Sequence, residues 1–226
     1  MARTPRLSRS VEDYLKAIYL LSERGEPAST SDIAEILDVQ PASVSGMIKR
    51  LAETSLLEHA PYRGVRLTEA GTREALRIVR RHRVIETYLH LRLGYSWEEV
   101  HTEAERLEHA ASDALVDRMA AALENPSHDP HGAPIPTSGG EIEEVVQTTL
   151  SEAAVGSEVT IRAVQDEDPD RLRYMEARGL LPGVGLAVED RQPFDGPITV
   201  VVGGPTGRVQ VLGHDLARRI YVVPAS

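Results

Sequence analysis

The fold is decided by residues 30–57, TSDIAEILDVQPASVSGMIKRLAETSLL, whose pattern predicts two helices joined by a tight turn. Thr30 or Ser31 is expected to be the N-terminal cap of the first helix. The second begins at Pro41, where the missing backbone N–H costs nothing. Its apolar residues recur at i, i+3, i+4 and i+7, the spacing of one buried helix face, and they are Val44, Met47, Ile48 and Leu51.

The other face of the second predicted helix carries small, hydroxylated and basic residues, namely Ala42, Ser43, Ser45, Gly46, Lys49 and Arg50. Such side chains suit a close approach to a DNA major groove and its phosphates. A glycine in a helix interior costs about 1 kcal/mol relative to alanine. Gly46 is therefore consistent with a surface that something must approach closely.

The segments on either side extend this pair into a larger motif. A helix is predicted from Ser10 to Gly25, with Asp13 as a partner in its N-terminal cap. Residues 56–67 read as a hairpin, which completes the order of a winged helix-turn-helix. Arg63 and Arg66 would lie on the wing, where phosphate contact is expected. The alternative is a helical hairpin of unrelated use.

Metal-ligating residue types concentrate between Val79 and Leu123, in two helical patterns joined by Gly94 and Tyr95. The first pattern carries His82 and Glu86 four residues apart. The second is predicted as one helix from Trp97 to Leu123, with side chains at offsets 0, 4, 7 and 8 that are His101, Glu105, Glu108 and His109. On one helix these four fall within roughly a quarter-turn, which favours a divalent metal site. The alternative is surface decoration.

The C-terminal part changes in character. Residues 125–140 are rich in proline and glycine and predict a linker, in which His128 and His131 are expected to be solvated. Five short apolar segments with glycine turns follow and predict a small β-barrel. One helix interrupts them, from Asp168 to Arg178, with Asp168 and Pro169 as its cap.

Composition narrows the function classes. The chain has no cysteine, which excludes disulfides and thiolate metal sites. No 18-residue apolar stretch and no apolar signal core occur, so a soluble cytoplasmic protein without a membrane partner is expected. The net charge of −10 lies after residue 66, because residues 1–66 carry equal numbers of basic and acidic side chains. A DNA-binding head is therefore compatible with the acidic whole.

These parts, in this order, resemble the diphtheria toxin repressor family of iron- and manganese-dependent transcription regulators in its three-domain form. The resemblance rests on the motifs SVEDYLKAIYLL, YRGVRLTEAG, RRHRVIE, HTEAERLEHAASDAL, NPSHDPHGAPIP and LLPGVGLAVE. It implies a mainly α protein with a β C-terminal domain: a winged helix-turn-helix (1–67), a helical dimerisation and metal-binding domain (68–125), a linker (126–150) and an SH3-like, FeoA-like barrel (151–226).

The resemblance also implies two metal sites per subunit. An ancillary site would be formed by His82, Glu86 and His101. A primary, regulatory site would be formed by Asp13, Glu105, Glu108 and His109. Asp168 matches a position from which the barrel adds a ligand, although the next matching position is Arg171, which cannot coordinate a metal. Lys16 stands where one manganese-type pattern has a glutamate, which argues against that two-metal geometry.

The implied function is a homodimer that Mn(II) activates to bind an inverted-repeat operator in double-stranded DNA and to control metal-homeostasis genes, and not an enzyme. The predicted DNA contacts are Gln40, Pro41, Ala42, Ser43, Ser45, Gly46, Lys49, Arg50, Arg63 and Arg66. Mn(II) is favoured because Asp13 and Glu105 stand where iron-type relatives carry softer sulfur ligands. The alternatives are an Fe(II)-dependent regulator, a metal-dependent hydrolase with a nucleic-acid-binding head, and a metal-independent winged-helix regulator.

Overall fold

The fold is taken from a computed structural model that describes residues 7–23, 25–60, 64–144, 146–166, 168–204 and 207–225. The chain forms two compact units, each built from three separate segments. The first unit comprises Met1–His82, Arg106–Asp117 and Pro136–Ile142. The second comprises Arg83–Glu105, Arg118–Ile135 and Glu143–Ser226. No helix of the described ranges is long and apolar enough to cross a membrane.

The first unit begins with the predicted winged helix-turn-helix. Its elements are α1 (Arg9–Ser22), α2 (Thr30–Ile36), α3 (Pro41–Glu53), β1 (Leu57–Ala60) and β2 (Gly64–Leu67). The two strands pair antiparallel from Leu57↔Leu67 to Ala60↔Gly64. The core takes one apolar face from each helix and includes Leu15, Ile18, Ile33, Val44, Ile48, Leu51 and Val65. Helix α3 thereby buries the face that the sequence predicts.

The helix starts differ from the predicted ones. The N-cap of α1 is Ser8 rather than Ser10, and Asp13 takes no part in a cap. The N-cap of α2 is Ser29, whose hydroxyl accepts a hydrogen bond from the backbone N–H of Asp32. Successive serines and threonines offer several equivalent caps, and the sequence pattern alone does not choose among them.

The long helical region of the sequence is three helices, not two. Helix α4 (Glu69–Leu93) follows Thr68, whose hydroxyl accepts from the backbone N–H of Gly71. The predicted single helix from Trp97 to Leu123 is wrong, because α5 (Val100–Leu107) and α6 (Asp113–Ala122) are separate. Ser112 starts the second of these, since its hydroxyl accepts from the N–H of Leu115. Glu108 and His109 therefore lie in the turn after α5.

The second unit contains the predicted five-stranded β domain. Its elements are β3 (Glu158–Val164), α7 (Pro169–Glu176), β4 (Gly185–Arg191), β5 (Ile198–Val202), β6 (Arg208–Leu212), α8 (His214–Ala217) and β7 (Ile220–Pro224). The strand order is β6-β5-β4-β3-β7, with every pair antiparallel. Its core includes Trp97, Leu150, Ile161, Leu172, Met175, Ile198 and Ile220.

The proline-rich segment before this sheet contains a closed loop. The backbone N–H of Asp129 donates to the carbonyl of Ala133 at 3.0 Å, and that of Ile135 donates to Ser127 at 2.8 Å. A Cβ on Gly132, whose φ is +87°, would lie 2.1 Å from the carbonyl oxygen of Arg162. Glycine thus allows the loop to approach β3 closely. The expectation that His131 is solvated is wrong, because its side chain is buried in this loop.

Candidate metal centres and DNA-binding face

Three predicted ligands of the regulatory site converge within the first unit. Asp13 comes from α1, and Glu108 and His109 come from the turn after α5. His109 Nε2 lies 2.8 Å from Asp13 Oδ1 and 3.4 Å from Glu108 Oε1. One ligand atom from each of the three lies within 4.8 Å of the others. We call these three residues the Asp13 cluster.

Two basic groups face the buried Glu108 carboxylate. The ammonium of Lys16 donates to Glu108 Oε2 at 2.9 Å, and His82 Nδ1 lies 2.6 Å from the same oxygen. Burial by itself raises the pKa of Glu108. The hydrogen bond from His82 and the charge of Lys16 outweigh it and hold that pKa below its usual value. Glu108 is therefore a carboxylate at neutral pH, as a metal ligand must be.

Glu12 is a residue of this site that sequence reasoning missed. It is 4% exposed, and its Oε2 lies 2.8 Å from His109 Nδ1. Its other oxygen accepts from Arg81 at 3.0 Å. A carboxylate that accepts the Nδ1 proton leaves the lone pair of a neutral imidazole on Nε2, which is the nitrogen facing Asp13 and Glu108. Its position next to Asp13 on α1 is the one sequence signal that pointed to it.

The donor set of the Asp13 cluster fits a divalent ion. It offers two carboxylates and one oriented imidazole, and Glu108 is fully buried. Oxygen-rich sets with one nitrogen suit Mn(II) and Fe(II), and also accept Zn(II). The fourth predicted ligand, Glu105, belongs to the second unit, where its Oε1 lies 3.9 Å from His101 Nε2.

The predicted ancillary ligands also belong to different units, with Glu86 and His101 in the second and His82 in the first. Glu86 Oε1 and His101 Nδ1 lie 3.1 Å apart in the second unit. His82 belongs to the first unit, beside Lys16 and Glu108. The predicted quarter-turn of four ligands on one helix is wrong, because the helix that carries His101 ends at Leu107.

Asp168 is engaged by the helix that it caps. Its Oδ1 accepts from the backbone N–H groups of Asp170 and Arg171 at 2.8 and 3.4 Å, and its Oδ2 lies 3.3 Å from the guanidinium of Arg171. The predicted cap is confirmed by these bonds. They lower the pKa of Asp168 below its ordinary value. A metal at Asp168 would have to compete with the cap and with Arg171.

A further group of ligand types comes from the loop at residues 129–131. Glu86, Asp129 and His131 are all buried, and one ligand atom of each lies within 4.8 Å of the others. Burial and the neighbouring charge of Glu86 raise the pKa of Asp129 to about 7. This group was not predicted, because residues 125–140 were interpreted as a linker. The sequence HDPHG nevertheless contains two of its three side chains, Asp129 and His131.

The predicted DNA-binding face of α3 is exposed. Its exposed residues include Gln40, Pro41, Ala42, Ser43, Ser45, Gly46, Lys49 and Arg50. A Cβ on Gly46 would meet nothing within 4 Å. On the wing, the guanidinium of Arg66 donates to the carbonyl of Gly25 at 2.8 Å. Arg63 lies outside the described residues.

Three family profiles match the chain in series. The profile for the iron dependent repressor, N-terminal DNA binding domain, matches residues 6–65. The profile for the iron dependent repressor, metal binding and dimerisation domain, matches residues 68–137, and that for the FeoA domain matches residues 148–224. A relative of similar length is the iron-dependent repressor IdeR of Mycobacterium tuberculosis (strain ATCC 25618 / H37Rv), 32% identical over 94% of this chain and 96% of that protein.

The chain belongs to the iron-dependent repressor family. This is the diphtheria toxin repressor family that the sequence motifs indicated, and solved members share the fold. A manganese-dependent transcriptional repressor in complex with manganese is 39% identical, with a TM-score of 0.87 over 95% of this chain and all of that one. The manganese regulator SloR is 35% identical, with a TM-score of 0.80 over 99% of this chain and all of that one.

Membership of the iron-dependent repressor family establishes the class of function. Its members are metal-dependent, DNA-binding transcriptional repressors and not enzymes, so the chain is a metal-dependent transcriptional regulator. The hydrolase alternative and the metal-independent alternative are therefore set aside. The three-part architecture of a DNA-binding head, a helical dimerisation domain and a FeoA-type β domain is confirmed.

Proposed function

We propose that this chain is a homodimeric regulator that Mn(II) activates to bind an inverted-repeat operator and to control metal-ion homeostasis genes. The observation that carries the proposal is the Asp13 cluster, because Asp13 lies on α1 of the DNA-binding head and His109 Nε2 comes within 2.8 Å of it. A regulator of genes acts where its DNA lies, so we place it in the cytoplasm.

The mechanism follows from which segments contribute the ligands. Asp13, Glu108 and His109 would hold a divalent ion, whose positive charge would offset the repulsion between the two carboxylates. Glu12 keeps the lone pair of His109 directed at Asp13 and Glu108, while the ammonium of Lys16 neutralises Glu108 through contacts with both carboxylate oxygens. When α1 is fixed against residues 106–117, the DNA-binding domain can adopt fewer orientations. Metal binding then favours the DNA-competent state, and DNA raises metal affinity in return.

The preference for manganese rests on the hardness of the donors. Asp13 and Glu108 are carboxylates, which suit Mn(II), and the chain has no cysteine to offer a softer ligand. Two solved relatives are described as a manganese-dependent repressor and a manganese regulator, whereas IdeR is described as iron-dependent. Fe(II) is therefore the second candidate. The general affinity order still favours Zn(II) in solution, so selectivity depends on geometry and on metal supply.

The remaining elements of the proposal follow the family resemblance. Glu105 would complete the regulatory site, and a second site would use His82, Glu86 and His101, with Asp168 as the position that matches a ligand from the β domain. The domain boundaries would fall near residues 67, 125 and 150. Leu107 and Leu115, which are 38% and 45% exposed, would contribute to a dimer interface. The dimer would present two α3 helices to successive major grooves about 34 Å apart.

The test is a DNA-binding titration with Mn(II), anaerobic Fe(II) or a chelator, on the full chain. We expect Mn(II) to activate binding, and Glu108→Gln and His109→Ala to abolish the activation while both variants stay folded. Glu69→Gln, an exposed glutamate on α4, is the matched control and should respond like wild type. Metal-independent binding by Glu108→Gln at wild-type affinity would overturn the switch. If the wild type is activated by Fe(II) at a lower free-metal concentration than by Mn(II), iron and not manganese is the activating metal.

A further inference from the structure

We propose that Glu86, Asp129 and His131 bind a divalent metal ion, so that the loop at residues 129–131 supplies two ligands of a metal site. The ligand atoms of all three lie within 4.8 Å of one another inside the second unit. This site shares Glu86 with the proposed second site and shares no residue with the Asp13 cluster. It extends the proposed metal response and depends on that proposal only for the identity of the ion.

The loop fixes the Asp129 carboxylate. Its Oδ1 accepts from the backbone N–H groups of His131 and Ala133 at 2.9 and 3.0 Å. The Asp129 N–H in turn donates to the Ala133 carbonyl at 3.0 Å, which closes the loop on itself. One carboxylate oxygen is therefore committed to the backbone, and the other is held in a fixed direction. Such preorganisation lowers the cost of ordering a ligand.

The imidazole of His131 is oriented as metal-ligating histidines are. Its Nε2 lies 3.0 Å from the backbone carbonyl of Trp97, and the two rings pack with centroids 4.9 Å apart. Because a carbonyl only accepts hydrogen bonds, Nε2 carries the proton. In a neutral imidazole the lone pair is then on Nδ1. A backbone carbonyl that fixes the tautomer in this way is the usual outer partner of a histidine ligand.

Two buried carboxylates lie close together at this site, and a bound cation would offset their charge. Glu86, Asp129 and His131 are 2%, 9% and 8% exposed, so two carboxylates face each other with little water. Arg83 stands beside Asp129, with Nε 3.7 Å from Oδ2, but its Nη1 donates to the carbonyl of Pro134 at 2.6 Å. A divalent ion bound to both carboxylates offsets their repulsion, which is expensive in an interior.

The ligand types of Glu86, Asp129 and His131 indicate which ions the site would bind, and Glu86 connects the site to α5. Two carboxylates and one imidazole suit Mn(II), Fe(II) or Zn(II). Glu86 also lies 3.1 Å from His101 Nδ1 on α5, so a metal at the loop acts on the same carboxylate that His101 contacts. Asp129 and His131 would thereby provide ligands from the loop in addition to Glu86, whereas the carboxylate of Asp168 is engaged at its own helix cap.

The experiment measures Mn(II) bound per chain by equilibrium dialysis and elemental analysis of full-length protein. Asp129→Asn keeps an oxygen for the two backbone N–H groups, and His131→Gln is a second, independent variant. We expect each to bind one equivalent of Mn(II) fewer than wild type. Glu108→Gln should lose a different equivalent, so that Glu108→Gln/Asp129→Asn loses two. His128→Gln, in the same loop, is the matched control and should keep the wild-type stoichiometry.

The outcomes separate this inference from the proposed function. If Glu108→Gln loses an equivalent whereas folded Asp129→Asn and His131→Gln bind as much Mn(II) as wild type, the loop holds no metal and only the present inference fails. If wild type binds no Mn(II), Fe(II) or Zn(II), both proposals fail. Substitution of Co(II) gives a further readout, because loss of His131 should change the visible spectrum of the bound ion. An unchanged spectrum would contradict nitrogen ligation by the loop.

Discussion

The ammonium of Lys16 lies 2.9 Å from the carboxylate of Glu108, and both side chains are buried. The same ammonium lies 3.1 Å from His82 Nδ1. A positive charge supplied by the chain itself therefore stands next to a carboxylate of the Asp13 cluster. It permits the site to stay folded without metal, since an unpaired buried carboxylate is strongly destabilising.

Lys16→Met should destabilise the metal-free protein. The expected loss is about 3 kcal/mol, the lower end for breaking a buried ion pair, because His82 still contacts Glu108. Excess Mn(II) should shrink this loss, since the bound ion replaces the missing charge. Urea unfolding in chelator and in Mn(II) measures both values. Lys49→Met, the exposed lysine of α3, should show no metal-dependent difference, and an equal loss for Lys16→Met in both conditions would refute the explanation.

Glu12→Gln should weaken the response to metal without unfolding the head. The change keeps the shape of the side chain but removes the charge that holds the His109 imidazole. Loss of such an outer partner typically costs 10–100-fold in metal affinity. The Mn(II) concentration for half-maximal DNA binding should rise by about that factor. The control is Glu26→Gln, an exposed change in the same head, which should leave the titration midpoint in place.

Gly46→Ala should change stability and DNA binding in opposite directions. A Cβ at this exposed helical position meets nothing within 4 Å, so the fold should gain about 1 kcal/mol from the better helix former. The added methyl stands on the face proposed to approach DNA and should reduce operator affinity. Chemical denaturation and a binding titration at fixed salt give the two numbers. Undiminished affinity in the stabilised variant would remove Gly46 from the DNA interface.

Asp113→Asn tests the arginine network between α4 and α6. Burial raises the pKa of Asp113, but hydrogen bonds from Arg77 and Arg81 outweigh it and lower that pKa overall. A lowered carboxylate pKa contributes stability above the unfolded value of 3.8 and loses it as pH falls through the folded value. The variant should therefore be less stable than wild type at pH 7, by about 1 kcal/mol or less for a half-exposed pair. The two proteins should converge toward pH 3.

Urea unfolding of the metal-free proteins between pH 3 and pH 7 measures that convergence. Glu176→Gln, an exposed carboxylate on α7 of the β domain, serves as control and should track wild type at every pH. A difference between Asp113→Asn and wild type that stays constant across this range would show that the arginines do not stabilise the charged form of Asp113.

Local pattern was enough to predict the helix-turn-helix, the hairpin and the five strands, because each has its own periodicity and turn residues. The break between α5 and α6 was not predicted. Apolar and small residues continue across it at helical spacing, and the decisive signal is the cap at Ser112. The error mattered for the site, since Glu108 and His109 reach Asp13 from a turn and not from a helix face.

The buried partners of the site were harder to predict than its ligands. In the local pattern of α1, Glu12 and Lys16 are polar positions of an amphipathic helix, yet both are buried against groups more than sixty residues away in sequence. His131 reads as part of a proline-rich loop, and its burial depends on the close approach of Gly132 to Arg162. Long-range packing of this kind leaves no periodicity in a single sequence.

The division of the chain into interleaved segments has a consequence for chimeras. The first unit combines Met1–His82 with Arg106–Asp117 and Pro136–Ile142. Exchanging only residues 1–67 between two relatives would take Asp13 from one parent and Glu108 and His109 from the other. If the Asp13 cluster senses the metal, as we propose, a transplanted head would keep its metal response only when residues 106–117 are exchanged together with it.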